Sequence, residues 1–254
     1  EFFAEYLLND PSAYYDYPLF KLEDGRGVAG SYITIPFRVR DDEGKVRVAS
    51  WIRRSTRKDI GKGSRYRTPL NTAIFSNADT LLGLAGNEPT ETSRPTIILC
   101  EGPFDYLALK DALRSLPDSQ RRHYLPIALG GVNAKTVGHY GANHEDSLQI
   151  ARDRAGALAV FEGCRVIEML DQDKAGIEGA VNIGTLLLPL GCDVRVARVA
   201  DGWRDTGIEV PEDPDPSLLY LKLGATGMIR ALTYGSKRSL VDFVCELLSE
   251  GLAN

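Results

Sequence analysis

Paired cysteines are missing from this chain. Its four cysteines, Cys100, Cys164, Cys192 and Cys245, are scattered, and none belongs to a C-x-x-C pair. That spacing argues against a structural zinc site. The three histidines, His123, His139 and His144, show no ligand spacing and read as surface residues. No apolar run approaches the about 18 residues that a membrane span requires. The opening "EFFAEYLLNDPSAYYDY" lacks the basic start and apolar core of a secretory signal. It begins with Glu1, so the chain is expected to be a piece of a longer protein. Cys100, Cys164 and Cys192 lie in or beside apolar, strand-like runs and are expected to be buried free thiols, which suits a reducing cytoplasm. The expected location is cytoplasmic, with no membrane partner.

What is present is an ordinary globular composition. Of 254 residues, 43% are hydrophobic and 26% charged, enough for one large domain or two small ones with a sizeable core. The net charge of −5 disfavours a polyanionic partner, but its distribution favours one. Arg38 to Thr68 holds 11 Lys/Arg against 4 Asp/Glu, a local +7. Trp51 and Tyr66 interleave with these basic residues. Such asymmetry predicts a polyanion-binding face.

The order of patterns suggests two regions. Residues 1–30 read as irregular. "SYITIPFRVR" and "KVRVASWIRR" alternate around the turn "DDEG" and predict a β-hairpin. "STRKDIGKGSRYRTPLN" reads as a basic loop, and "NEPTETSRP" as a linker. Beyond it, strand-like "TIILC", "YLPIALGG", "RVIEMLD" and "CDVRVARVA" are interspersed with the helical "PFDYLALKDALRSL", "AGIEGAVNIGTLLLPLG" and "DPSLLYLKLG". This is an α/β pattern, which predicts a mostly parallel sheet flanked by helices. "SLVDFVCELLSEGL" reads as an amphipathic helix. The expected divisions are an N-terminal α+β basic subdomain over 1–90, an α/β domain over 91–210, and a C-terminal helical segment over 211–254.

Acids fall where strands end. Glu101 follows "TIILC", and Asp105 lies on the next helical turn. Asp171 and Asp173 follow "RVIEM", and Asp213 and Asp215 follow the last strand and its loop. In a parallel sheet such ends share one edge, where ligands bind. Converging carboxylates repel and raise one another's pKa. A hard divalent cation relieves that repulsion, and Mg²⁺ is satisfied by a few carboxylates together with water or phosphate oxygens. A lone D-x-D turn has a simpler use, since Asp173 can cap the following helix. The other acids tip the reading toward a cation site. Gly102 suits a tight turn, Gly176 and Gly179 a close helix–sheet approach, and Gly130 and Gly131 offer backbone N–H groups to a phosphate.

"EGPFDYLAL", followed downstream by "LDQDKAG", resembles the Toprim domain of bacterial-type primases, topoisomerases, OLD-type nucleases and RecR-like proteins. "EDPDPSLLYLKLGATGMIRAL" resembles the DPDE segment and following helix of DnaG-type primases. The upstream hairpin and "SRYRTPLNTAIFSNADTLLGL" resemble that family's segments in the same order. The resemblance covers most of residues 25–250 and implies the RNA-polymerase core of a DnaG-type primase, with a Toprim fold preceded by a smaller α+β subdomain. By position it implies Glu101, Asp171 and Asp173 as catalytic acids, and Asp105, Asp213 and Asp215 as further metal ligands. Arg53 or Arg54 matches the basic residue after the hairpin, and Arg65 beside Tyr66 the basic residue of a "KY" motif. The candidate nucleic-acid and nucleotide contacts are Arg53, Arg54, Lys62, Arg65, Tyr66, Arg67 and Lys174. The chain departs from the family pattern at Tyr32, where basic residues are usual, around Ser76 and Asn77, where a lysine is usual, and at Pro216, where an acid is usual. These departures suggest a phage, plasmid or mobile-element member.

The function implied is template-directed synthesis of RNA primers from NTPs on single-stranded DNA, with Mg²⁺ or Mn²⁺ as cofactor. Glu101 is either a metal ligand or the general base. A replicative helicase is the expected partner through domains outside this chain. A Toprim nuclease, a topoisomerase and a non-catalytic Toprim binding module are the alternatives.

Overall fold

The computed structural model describes residues 95–129 and 161–251, together with the backbone of five strands between residues 19 and 67. β1 (Leu19–Lys21) pairs antiparallel with β2 (Gly27–Ala29), inside the stretch read as irregular. The expected hairpin is formed by β3 (Tyr32–Arg40) and β4 (Val46–Ser55), with Tyr32 opposite Ser55 and Arg40 opposite Val46. The register shifts between Phe37 and Arg38, as a β-bulge requires when one strand carries an extra residue. A third strand, β5 (Tyr66–Arg67), lies within the stretch read as a loop. Two residues are too few to produce a visible alternation, so only the pairing reveals this strand.

The α/β region has the expected Toprim-like architecture. β6 (Thr96–Cys100), β7 (Tyr124–Ala128), β8 (Arg165–Glu168) and β9 (Asp193–Val196) form a parallel sheet in the order β7-β6-β8-β9. Strands of such a sheet are covered on both faces, which is why they read as continuous apolar runs rather than as alternation. α1 (Pro103–Arg114) and the short α2 (Asp118–Arg121) join β6 to β7. α3 (Lys174–Leu187) joins β8 to β9. α4 (Pro216–Gly235) and α5 (Leu240–Ser249) follow, after a 3₁₀ turn at Val199–Trp203. α4 extends well beyond the segment read from sequence. It passes through a kink at Gly224, whose φ of 60° is open to glycine at little cost.

Two apolar layers sandwich the sheet. Ile97, Leu99, Ile127, Val166 and Val194 pack toward Ala180, Ile183 and Leu187 of α3 and Leu240, Phe243 and Leu247 of α5. Ile98, Cys100, Ala128 and Ile167 pack toward Tyr106, Leu109 and Leu113 of α1 and Leu219, Met228 and Leu232 of α4. Cys100, Cys164 and Cys192 are buried free thiols as expected, while Cys245 is exposed. His123 is exposed; His139 and His144 lie outside the described residues. Among the described residues no helix is long and apolar enough to cross a membrane.

α5 is also held by charge. Buried Arg238 donates to Asp201 Oδ2 at 2.8 Å and to Glu246 Oε1 at 3.0 Å. Arg198 grips both oxygens of Glu250, at 2.6 and 3.0 Å. Removing one partner of such a buried pair leaves an uncompensated charge.

Glu168 breaks the apolar pattern. It is fully buried at the end of β8, and by strand alternation it shares the face of Val166. Neither carboxylate oxygen has a hydrogen-bond partner. Burial pushes its pKa well above the ordinary carboxylate range. A carboxyl raised in this way is most compatible with folding below its unfolded pKa, and its stability contribution is lost as pH rises toward the folded value. Glu168→Leu should therefore raise the unfolding free energy at pH 8 by about 1–3 kcal/mol, the cost of an unsatisfied buried polar group. The gain should shrink toward pH 4. Urea titrations at the two pH values check this, and an equal gain at both would contradict it.

Candidate active site

The carboxyl ends of four parallel strands lie on one edge of the sheet. β6 leads directly into Glu101, and β8 leads through Met169 and Leu170 into Asp171. Gly176 makes the turn after β8 possible. A Cβ at that position would lie 2.0 Å from the Asp171 carbonyl oxygen, so the first turn of α3 can rest on the Asp171 backbone only through glycine.

Three of the acids do helix-capping work. Asp173 is the N-cap of α3, accepting from Gly176 N at 2.7 Å. Asp215 is the N-cap of α4, accepting from Leu218 N at 2.6 Å. Asp105, in the first turn of α1, reaches back so that its Oδ2 accepts from the N–H of the N-cap residue Gly102 at 3.1 Å. Its Oδ1 accepts from both the backbone N–H and the hydroxyl of Ser217 in α4. Pro103 and Pro216 occupy the first helical turns of α1 and α4, where the missing N–H costs nothing. Three helix N-termini thus accompany the acids, and their partial positive charges offset part of the mutual repulsion.

Asp171 has the least compensation. Its Oδ1 is buried without a hydrogen-bond partner. Its pKa is pushed up to about 9, first by burial and then by the charges of Asp105, Glu101, Asp215 and Asp173. Asp105 is raised to about 6, chiefly by burial, while its bonds from Ser217 act in the opposite direction. The Cys100 thiol is pushed up by burial and then by Asp105, Asp171 and Glu101, so it lies within reach of the same acids.

Four of the other five expected acids therefore bear on Asp171. Asp213 is exposed and shares with Asp173 a cleft of about 830 Å³ whose walls include Lys174, Ile177, Arg198 and Val244. Lys174 is largely exposed, 4.0 Å from Glu178. Arg53 lies opposite Arg67, and Arg54 opposite Tyr66, in the antiparallel β4–β5 pair. These four belong to a different sheet from the one that ends in the acids. Lys62, Arg65, Gly130 and Gly131 lie outside the described residues.

The donor set suits a hard cation. All the converging groups are carboxylates, and one oxygen is buried and orphaned. Among the described residues no three His, Cys, Asp or Glu side chains stand in position to close a metal cage by themselves. Mg²⁺ does not require one, because it usually binds through one or two carboxylates and completes its shell with waters and substrate phosphates.

No family model matches the sequence, and no curated protein matches it. Solved structures are similar in shape. The zinc-binding and RNA polymerase domains of the Aquifex aeolicus primase align over 85% of this chain and 43% of that one, at 19% identity and a TM-score of 0.48. The RNA polymerase domain of Mycobacterium tuberculosis primase DnaG aligns over 91% of this chain and 63% of that one, at 14% identity and a TM-score of 0.46. The primase fragment of the bacteriophage T7 primase-helicase protein aligns over 84% and 66%, at 17% identity and a TM-score of 0.43. The chain spans less than half of the Aquifex chain with which it aligns. At these values no residue's role is carried across.

Sequence reading missed two polar residues of this edge. Gln172, between the two acids, donates its N–H to Pro214 O at 3.1 Å, and its side-chain oxygen accepts from Ala200 N. Ser217 binds Asp105. Neither residue type announces itself: a glutamine inside D-x-D and a serine in a helical first turn are both ordinary. Their partners are distant in sequence.

The raised pKa of Asp171 has a measurable consequence. A carboxyl whose folded pKa lies above its unfolded value loses stability contribution as pH rises between the two, here from about 4 toward about 9. In metal-free buffer at pH 8, Asp171→Asn should melt above the wild type, by about 2–4 °C for each kcal/mol relieved. The two should converge near pH 4. Thermal melts across pH check this, and a wild type more stable than the variant at pH 8 would contradict it.

Proposed function

We propose that this chain is the catalytic core of a DNA primase, which joins ribonucleotides into short RNA primers on single-stranded DNA with a divalent cation. The observation that carries this reading is Asp171, a poorly compensated carboxyl at a sheet edge, surrounded by the fields of four other acids. The linear order of acidic segments and the basic hairpin before them favour primer synthesis over strand cleavage.

In this reading Asp171 and Asp173 hold the cation, with Glu101, Asp213 and Asp215 as further oxygen donors. Asp105 belongs to the same acidic group. Mg²⁺ or Mn²⁺, when bound, supplies positive charge for phosphate oxygens and acidifies a coordinated hydroxyl. The chain's own groups orient and neutralise. Asp173 and Asp215 keep their carboxylates aimed through their cap bonds. Glu101 serves as ligand or as acceptor for the proton of the attacking 3′-hydroxyl. Arg53, Arg54, Lys62, Arg65 and Arg67 neutralise template and triphosphate phosphates, Arg by its two-pronged fork. Tyr66 offers a face on which a base can stack. Lys174 stands beside the acids as a further phosphate contact. The α/β region and the segment before it act as separate subdomains, divided near residue 90, with the helical segment after residue 210 completing the core. A replicative helicase is the proposed partner of the longer protein, and the proposed setting is the cytoplasm.

One incubation separates this reading from its rivals. Single-stranded DNA, labelled NTPs and Mg²⁺ or Mn²⁺ should yield short RNA; cleaved DNA would identify a nuclease, and neither product a binding module. Asp171→Ala or Asp173→Ala should abolish synthesis, and near-normal synthesis by either variant would overturn the assignment. For the basic stretch, log affinity for single-stranded DNA should fall with log salt by about 0.7 per phosphate neutralised. Replacing both Arg65 and Arg67 with Ala should make that slope shallower by roughly 1–1.5. An unchanged slope would mean that these two residues do not touch phosphate.

A further inference from the structure

Two acids of this edge are held in opposite ways. Asp171 keeps one oxygen without a partner, whereas Asp105 has donors on both. Asp105 is only 7% exposed. Its Oδ2 takes the Gly102 N–H at 3.1 Å, and its Oδ1 takes the Ser217 backbone N–H at 3.1 Å together with the Ser217 hydroxyl. Ser217 follows immediately after Asp213-Pro214-Asp215-Pro216, and 112 residues separate it from Asp105.

The first turn of α4 accounts for every backbone donor it has. Pro216 has none. Ser217 N–H goes to Asp105, Leu218 N–H to the Asp215 side chain, and Leu219 N–H to the Asp215 carbonyl at 3.0 Å. A helix start usually leaves such donors to water or to its own cap. Here one is met by a buried carboxylate from another helix. The same segment is held at its other end, where Gln172 N–H donates to Pro214 O at 3.1 Å.

Only a carboxylate can accept on both oxygens here, since an amide would turn its NH₂ toward one of these donors. Through them Asp105 ties the start of α4, capped by Asp215, to the start of α1 directly after Glu101. The contact that joins the two helices therefore also sets where the Asp213–Asp215 segment stands relative to the strand-end acids.

We infer that Asp105 and Ser217 form a latch that positions the Asp213–Asp215 segment against the strand-end acids, which makes Ser217 a positioning residue for cation binding. The latch rests on the primase reading only in supposing that the acids take a cation. Asp105 acts mainly through α4, since both of its oxygens already accept protein donors. Outer groups that orient ligands in this way typically matter for metal affinity about 10–100-fold.

The test uses this chain, metal-free and with Mn²⁺ as the probe. Hydrogen–deuterium exchange over residues 213–219 reads the latch, and Mn²⁺ affinity by electron paramagnetic resonance reads its effect. Ser217→Ala should speed exchange of the Ser217 and Leu218 amides about tenfold, the size of one lost hydrogen bond. It should also weaken Mn²⁺ binding about tenfold or more. Ser217→Thr, which keeps the hydroxyl, should restore both. If Ser217→Ala fails to fold, Ser217→Cys, with a weaker donor of similar size, should show the same two losses in smaller measure. Unchanged exchange in the variant overturns the latch. Faster exchange with wild-type Mn²⁺ affinity reduces it to a helix anchor and overturns the positioning role. A wild-type protein that takes up no Mn²⁺ overturns the cation reading and the positioning role together, whereas wild-type uptake matched by Ser217→Ala overturns the positioning role alone.

Discussion

The repulsion among carboxylates at one sheet edge is the constraint around which this region is organised. Glu101, Asp105, Asp171, Asp173 and Asp215 come from three separate chain segments, and the other four add to the cost of ionising Asp171. Apolar packing alone does not hold such a group together. The parallel sheet fixes where two of the segments end. Helix N-termini, cap bonds and the Asp105–Ser217 contact then hold the acids in place. The remaining deficit falls on Asp171, whose orphaned oxygen marks where compensation from outside the chain is most needed.

The two uncompensated acids of β8 and its turn invite comparison. Glu168 and Asp171 are three residues apart, and burial is the first cause of the raised pKa of each. Glu168 lies within an apolar layer, where no other charge contributes to its shift. Asp171 lies among like charges at the rim. The same residue chemistry therefore has different meanings in the two places. The first is a local stability cost, and the second belongs to a group that can bind.

Much of this was legible in the sequence, for a physical reason. Strands of a parallel sheet buried on both faces are unbroken apolar runs, so "TIILC", "RVIEM" and "CDVRV" marked themselves, and the acids after them fell on one edge by topology alone. Gly176 was also legible, because a glycine two residues into a helix after D-x-D has few uses other than close approach. Tyr66–Arg67 was missed because a two-residue strand has no period. The length of α4 was missed because Gly224 reads as a terminator, although the helix resumes beyond it. Ser217 and Gln172 were missed because their roles depend on partners far along the chain. The D-x-D reading had set capping against cation binding, yet Asp173 spends one oxygen on the cap and keeps the other, so the two roles are compatible.

The bond from Ser217 to Asp105 also bears on the order in which the molecule assembles. It closes a loop of 112 residues, and beside it Tyr220 donates to Asp111 across 109. Contacts of such separation bring their reward only after a large loss of chain entropy. β6 and α1 are neighbours in sequence and can form early, but the edge that gathers the acids is finished only when α4 docks. Until then Asp105 lacks its Ser217 donors and the Asp215 charge stands apart, so the electrostatic cost of the site is incurred in the same step that brings the apolar face of α4 onto the sheet.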